Sequence, residues 1–334
     1  MSSERDLHKR GHQGFKKRVE SDVMSSVGKK VLEKKFFVAV YSRNIPEITK
    51  CLSKGVNPNI RSTEYGVTPL HLLAERNDYI LGYRLLEYKK FDVDVRNAHG
   101  YTALHVTCLC DCKKFALLLL EHGADPNIYG RFNKTALHLS VQNENYGITI
   151  KLLKFGAEVN VVDCFGNTPL SLSILDTNNY LIAKTLFQSG ANMSVEHQRP
   201  LHIFFEMVLY CRCIRQIDLV LLLLENGVNI NMREPDSGRN CLHFVAVTGF
   251  LELAVVLVEK GAKIHVVDSC KRSPIKVAVD HGNEVIADYF RKGYRPPPLL
   301  TALPKIFQWS SKVRARISER KLAEMEKEAE LKQK

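Results

Sequence analysis

The sequence predicts an all-α fold, an α-solenoid of stacked helix-turn-helix units with a charged C-terminal helix, on three observations. A four-residue motif recurs as Thr68-Pro69-Leu70-His71, Thr102-Ala103-Leu104-His105, Thr135-Ala136-Leu137-His138 and Thr168-Pro169-Leu170-Ser171. Weaker copies stand at Arg199-Pro200-Leu201-His202, Asn240-Cys241-Leu242-His243 and Ser273-Pro274-Ile275-Lys276, so the Leu/Ile position steps by 34, 33, 33, 31, 41 and 33 residues. Apolar runs closed by glycine follow, as in Leu117 to Leu120 before Gly123, Leu152-Leu153 before Gly156, Leu221 to Leu224 before Gly227 and Val255 to Val258 before Gly261. Between the units lie polar turns such as Asp163-Cys164-Phe165-Gly166.

Each element has a local cause. The first motif residue is a helix cap: Thr, Ser or Asn accepts a hydrogen bond from an orphan backbone N–H, and Pro suits the first helical position because it has no donor to waste. Arg199 breaks this rule, so the fifth helix pair is expected to start least securely, by about 1 kcal/mol. The closing glycine enters the left-handed conformation that ends the second helix.

This period near 33 residues resembles the ankyrin repeat, whose signature includes T-P-L-H-x-A. Ala124-Asp125-Pro126-Asn127, Ala157-Glu158-Val159-Asn160 and Gly227-Val228-Asn229-Ile230-Asn231 are similar to the family's G-A-D-x-N ending. The resemblance implies β-hairpin fingers between repeats and assigns His71, His105, His138, His202 and His243 to hydrogen bonds between neighbouring loops. It also implies that the chain binds proteins rather than catalysing a reaction. On this reading residues 1–34 are a basic, disordered leader, 35–65 a degenerate capping repeat and 66–294 seven repeats. Residues 295–310 form a Pro/Leu-rich cap or docking segment, and 311–334 the charged helix.

Two departures stand out. Ala191 to Gln198 leave no Asp-x-x-Gly turn, which predicts a truncated finger. Leu201 to Gly227 spans 26 residues where Leu104 to Gly123 spans 19, placing an insertion around Met207 to Gln216, between or within the helices, where repeat proteins usually carry a surface loop.

The net charge of +12 belongs to the ends: residues 1–35 hold ten Lys/Arg against five Asp/Glu, residues 291–334 twelve against five, and the stretch between is balanced at 26 each. Nucleic acid is therefore not expected as a partner of the central body. The longest apolar run, Leu219 to Leu224, is too short to span a bilayer, and the odd count of nine scattered cysteines argues for reduced thiols. Cytoplasm, with the nucleus as alternative, is the expected location. Lys16-Lys17-Arg18 and Lys29-Lys30 make the leader basic, readable as a nuclear signal or a phosphate-attracting arm, against plain solvated disorder.

Cys108-Leu109-Cys110-Asp111-Cys112 invites a zinc reading, with Cys211 and Cys213 elsewhere. A helix sets alternate residues about 200° apart, however, so Cys110 is expected to face away from its neighbours. The motif histidines sit in different repeats, about 10 Å apart, too far to share a metal. No phosphate loop, zinc-protease or nucleophile-elbow motif occurs, so no cofactor, metal, small-molecule substrate or catalytic residue is predicted.

A binding surface is predicted instead. Tyr65, His99, Phe132 and Phe165 each precede a turn glycine or its equivalent, with Tyr101 and Tyr129 close by. Aromatics at equivalent repeat positions are expected to line up and anchor a protein partner, or else to pack on their own finger. Glu75, Arg76, Leu109, Gln142, Asn143, Asp176 and Thr248 are expected to border the inner groove. By resemblance alone, Leu152, Glu158, Val159 and Asn160 fit the pattern of an ankyrin-directed asparaginyl hydroxylase, with Asn160 the modified residue. Two alternatives to a scaffold or adaptor stand beside it. One is a substrate-recognition subunit of a ubiquitin ligase, which needs a recruiting motif in residues 295–334, where Leu299-Leu300 and Leu303-Pro304 only faintly echo a SOCS box. The other is binding of an acidic surface, nucleic acid or membrane, through the basic ends.

Overall fold

The computed structural model describes residues 28–63, 65–88, 91–193 and 202–292. Every regular element among them is helical. After α1 (residues 28–41) come α2 (Ile45–Ser53), α3 (Pro69–Glu75), α4 (Tyr79–Leu86), α5 (Ala103–Leu109), α6 (Lys113–Glu121), α7 (Ala136–Gln142) and α8 (Tyr146–Lys154). There follow α9 (Pro169–Ser171, continued by a π turn over Leu172–Asp176), α10 (Tyr180–Gln188), α11 (Ile203–Tyr210) and α12 (Ile214–Glu225). The last are α13 (Cys241–Thr248), α14 (Leu251–Glu259), α15 (Pro274–Asp280) and α16 (Glu284–Lys292). The described residues divide into two compact units, the first running to Leu139 with Lys154–Ala157, the second taking Ser140–Leu153 and everything from Glu158.

The caps explain why short helices start where they do. Thr68 and Thr102 each receive the N–H of the histidine three residues on, while that histidine's Nδ1 accepts the threonine's own N–H at 3.3 and 3.2 Å. Thr168 with Ser171 and Asn240 with His243 close the same reciprocal box. Two orphan donors are satisfied at once, which stabilises helices too short to persist alone.

Within the first unit the inner helices α3 and α5 pack together, as do the outer helices α4 and α6, around Leu70, Leu73, Leu85, Leu104, Phe115 and Leu119. In the second, α11, α13 and α15 stack as one layer with α10 against α12 and α14 against α16, burying Ile182, Phe204, Phe205, Leu223, Val245 and Leu253. No described helix is long and apolar enough to cross a membrane.

Three expectations need correction. The fingers are not β-hairpins: no strand forms among the described residues, because each finger is only about five residues long and spends one or two of them in the left-handed region. A single turn is closed by a short backbone hydrogen bond such as Asn97 N to Tyr101 O at 2.8 Å or Asp163 N to Asn167 O at 2.9 Å, too little chain for a ladder.

Of the two places open to the insertion around Met207 to Gln216, it lies within the helices and not in a surface loop. The α11–α12 connection, Cys211 to Cys213, is as short as Cys110 to Cys112 between α5 and α6; the extra length starts α11 later and makes α12 12 residues long against 9 for α6. Ile203, Phe204, Phe205, Met207 and Val208 are buried, so the apolar sequence draws the added residues into helix. The fifth pair is also not started from its tetrad. Arg199 lies outside the described residues, and His202 caps α11 by accepting the Phe204 N–H at 3.2 Å.

The charged helix over residues 311–334, the segment 295–310, the leader to residue 27 and most of the Ala191 to Gln198 stretch lie outside the described residues.

Candidate protein-binding surface on the fingers and inner helices

The finger tips owe their shape to left-handed residues: Gly66 (φ +61°), Gly100 (φ +79°), Asn133 (φ +55°), Gly166 (φ +77°), Gly238 (φ +65°) and Lys271 (φ +59°). The residue just before each is thrown outward. In the first unit these are Tyr65, His99 and Phe132, of which Tyr65 is 57% and Phe132 46% exposed. Phe132 is itself left-handed (φ +60°), a conformation a bulky side chain seldom adopts, and it is held in a single 3-10 turn over Arg131–Asn133. The Arg131 guanidinium lies 4.6 Å from the Phe132 ring centre, and Tyr65 stacks on His99 at 6.2 Å while the Ala98 N–H donates to Tyr65 O at 2.8 Å. Tyr129 is exposed on the same unit, and Phe165 is exposed on a finger of the second.

Tyr101 differs from the expectation. It is half-buried, its ring 5.5 Å from that of His105, and its carbonyl accepts the His71 Nε2–H at 2.7 Å, so it braces the fingers rather than facing a partner. His105 makes the equivalent bond to Lys134 O at 3.2 Å and His243 to Arg272 O at 3.0 Å. With Nδ1 accepting and Nε2 donating, each ring is a neutral strut joining one finger to the next. Burial lowers the pKa of His71 and His243, and that of His105 to about 4.

The groove candidates end their inner helices. Glu75, Leu109, Gln142 and Asp176 close α3, α5, α7 and the π turn and are exposed, as are Arg76 and Asn143, whereas Thr248 is half-buried. Arg76 is engaged already: its guanidinium sits 3.8 Å over the Tyr41 ring and donates to Tyr41 O at 2.7 Å. Sequence reasoning overlooked Tyr41, 57% exposed at the end of α1, and an outer-face cluster on α4 of Tyr79, Ile80 and Tyr83. The i,i+4 spacing of Tyr79 and Tyr83, off the apolar stripe of α4, was the signal that could have found the latter.

Asn160 is exposed but clasped, its Nδ2 donating to Gly190 O at 3.1 Å and its Oδ1 accepting the Asn192 N–H at 2.8 Å. Asn231 is held in the same way by Gly261 O and the Lys263 N–H. Cys108 and Cys112 are buried and Cys110 exposed, and burial pushes the Cys108 thiol well up and those of Cys211 and Cys241 to about 12. Among the described residues no three His, Cys, Asp or Glu side chains converge to hold a metal ion.

Capped helix pairs, single-turn fingers and histidine struts define a repeat protein whose surface offers side chains for binding. Profiles of ankyrin repeats match residues 36–130, 119–173 and 215–258, and the chain belongs to the ankyrin-repeat proteins. It is 34% identical over 94 residues to human SH3 and multiple ankyrin repeat domains protein 2, a match covering 28% of this chain and 5% of that one. Mouse B-cell lymphoma 3 protein homolog is 35% identical over 85 residues (24% of this chain, 19% of the relative), and human transient receptor potential cation channel subfamily A member 1 is 31% identical over 88 (26% and 8%). The chain thus aligns with less than a fifth of each of these relatives. The crystal structure of the ankyrin repeat domain of Bcl-3 is similar in fold, with a TM-score of 0.59 at 24% identity over 68% of this chain and all of that one. Ankyrin repeats are generally protein–protein interaction modules.

Proposed function

We propose that the chain is a non-enzymatic adaptor that holds a protein partner on the finger face of its first unit, in the cytoplasm or nucleus. The observation that carries this reading is the exposure of Tyr65 and Phe132 on hydrogen-bonded finger turns, with Tyr129 exposed beside them and Arg131 over Phe132. Aromatic and arginine side chains fixed in place bind with little loss of conformational entropy, which is why they dominate interface energetics. Asn160 is proposed as an accessory hydroxylation site; mass spectrometry of its peptide after incubation with an asparaginyl hydroxylase reads the added oxygen, and an unmodified peptide removes the assignment.

The test of the adaptor reading is quantitative affinity capture with the intact chain, comparing wild type with Tyr65→Ala/Phe132→Ala and with an outer-face control, Tyr83→Ala. Loss of the same prey by about tenfold or more in the finger variant alone supports the reading. Equal recovery by wild type and finger variant overturns it. The substituted rings are exposed, so melting temperatures should stay within a degree or two.

A further inference from the structure

The three fingers of the first unit are cationic within a stretch of chain whose charges balance overall. Residues 60–67, 95–101 and 128–134 hold four Lys/Arg against one acid, Glu64, whereas residues 161–167, a finger of the second unit, hold Asp163 and no Lys or Arg. The repeat register sets where these charges fall. Asn59 Oδ1 accepts the Asp92 N–H at 2.9 Å and Asp94 Oδ1 the Asp125 N–H at 3.2 Å, so Asn59 and Asp94 are equivalent clasps onto the next repeat. Arg61 and Arg96 each stand two residues beyond the clasp and are exposed. On the third finger Tyr129 takes that position, and exposed Arg131 follows two residues later.

The fold makes no use of these three charges. In the second unit the finger arginines are engaged internally: Arg239 and Arg272 lie 3.6 and 3.0 Å from the Asp268 carboxylate, and Arg233 donates to Gly238 O at 2.9 Å and to Val267 O. Among the described residues Arg61, Arg96 and Arg131 have no ion pair. Nearby acids are already committed. Asp92 Oδ1 accepts the Asp94 N–H at 3.0 Å, Asp94 that of Asp125, and Asp125 Oδ1 the Asn127 N–H at 2.9 Å. Glu75 and Asp111 sit at the other ends of the inner helices α3 and α5, with Asp111 3.5 Å from Lys113. Arg131 is held over the Phe132 ring, an arrangement that leaves the N–H edge of a guanidinium open to a carboxylate.

Adjacent repeats lie about 10 Å apart, a distance an extended chain crosses in about three residues. A nucleic-acid strand carries a charge about every 3.4 Å, roughly three times denser than one arginine per finger. We infer that the partner presents an extended acidic segment to the finger face of the first unit. Asp or Glu at about every third residue is received by Arg61, Arg96 and Arg131, and an apolar side chain of the segment rests against Phe132. The inference rests on the finger face being the binding surface and adds the chemistry of what binds there.

Selection from a phage-displayed library of random peptides, about twelve residues long so as to cross three fingers, tests it on the full-length protein. The comparison variants are Arg61→Gln/Arg96→Gln/Arg131→Gln and Tyr65→Ala/Phe132→Ala. All five side chains are exposed, so both variants should melt with wild type. Peptides enriched on wild type should be rich in Asp and Glu, bind the arginine variant about tenfold more weakly or worse, and weaken as salt is raised. Neutral or basic peptides that the ring variant loses and the arginine variant keeps overturn the inference and leave the adaptor reading standing. Peptides lost by neither variant, or no enrichment at all, also overturn it, and the capture experiment above then decides the adaptor reading separately. A thymidine oligonucleotide that binds wild type more tightly than the selected peptides, and that the arginine variant loses, overturns it in favour of nucleic acid.

Discussion

At the scale of single residues, the motif histidines couple the fold to pH. His105 uses both ring nitrogens in the neutral form, so a second proton breaks its bond with the Thr102 N–H and places charge where burial opposes it. Its pKa falls from 6.5 to about 4 on folding, and those of His71 and His243 also fall. The unfolded chain therefore binds these protons more readily. The stability concerned is complete above about pH 6.5 and is lost as pH drops toward about 4, on the order of 3 kcal/mol for His105. Urea midpoints should be flat above pH 6.5 and decline below it. His105→Gln, which keeps a capping-box side chain without a titrating ring, should remove part of that slope. Gly82 sets a second, steric constraint. A Cβ there would lie 2.4 Å from Cε2 of the fully buried Phe115, so Gly82→Ala should lose about 1–3 kcal/mol to overpacking despite the better helix propensity of alanine. Thermal melts check this, and Phe115→Leu in the same chain should recover part of the loss.

Among the elements, the π turn over Leu172–Asp176 accommodates one extra residue. Thr168 to the left-handed Asn178 spans 10 residues, where Thr102 to Asp111 and Thr135 to Glu144 span 9. Thr177 N reaches back five residues to Leu172 O at 3.1 Å, absorbing the insertion without shifting the buried Leu170, Leu172 and Ile174. Deleting half-buried Leu175 should therefore be tolerated, while deleting Leu109 from the regular α5 should collapse the first unit; circular dichroism melts of the two deletions distinguish them. The extra residue was present in the sequence as a Leu170 to Gly190 spacing of 20 against 19 for Leu104 to Gly123 and Leu137 to Gly156. Sequence reasoning passed over it because the motif and the closing glycine were both intact. The caps were legible because side-chain chemistry alone decides them. The fingers were legible as turns, but not their lack of strands, which depends on how many residues remain once one or two are left-handed. For the candidate surface, ring identity could be read and ring orientation could not: Tyr101 turns onto His105 while Tyr65 and Phe132 stay in solvent.

For the whole molecule, nearest-neighbour packing makes the thiols position-specific reporters of unfolding. Cys51, Cys108 and Cys112 are buried in the first unit and Cys211 and Cys241 in the second, while Cys110, Cys164, Cys213 and Cys270 are exposed. A thiol held near pKa 12 in a closed core, as at Cys211 and Cys241, reacts only when its surroundings open. Pulse alkylation of the native protein should thus modify the exposed four and spare the buried five. In an array where each unit touches only its neighbours, a local defect lowers local stability first. Gly82→Ala should move labelling of Cys51, Cys108 and Cys112 to lower urea while Cys241 in α13 keeps its wild-type midpoint. If all five buried thiols instead move together, the two units unfold as one cooperative block, and the neighbour-by-neighbour description fails for this chain.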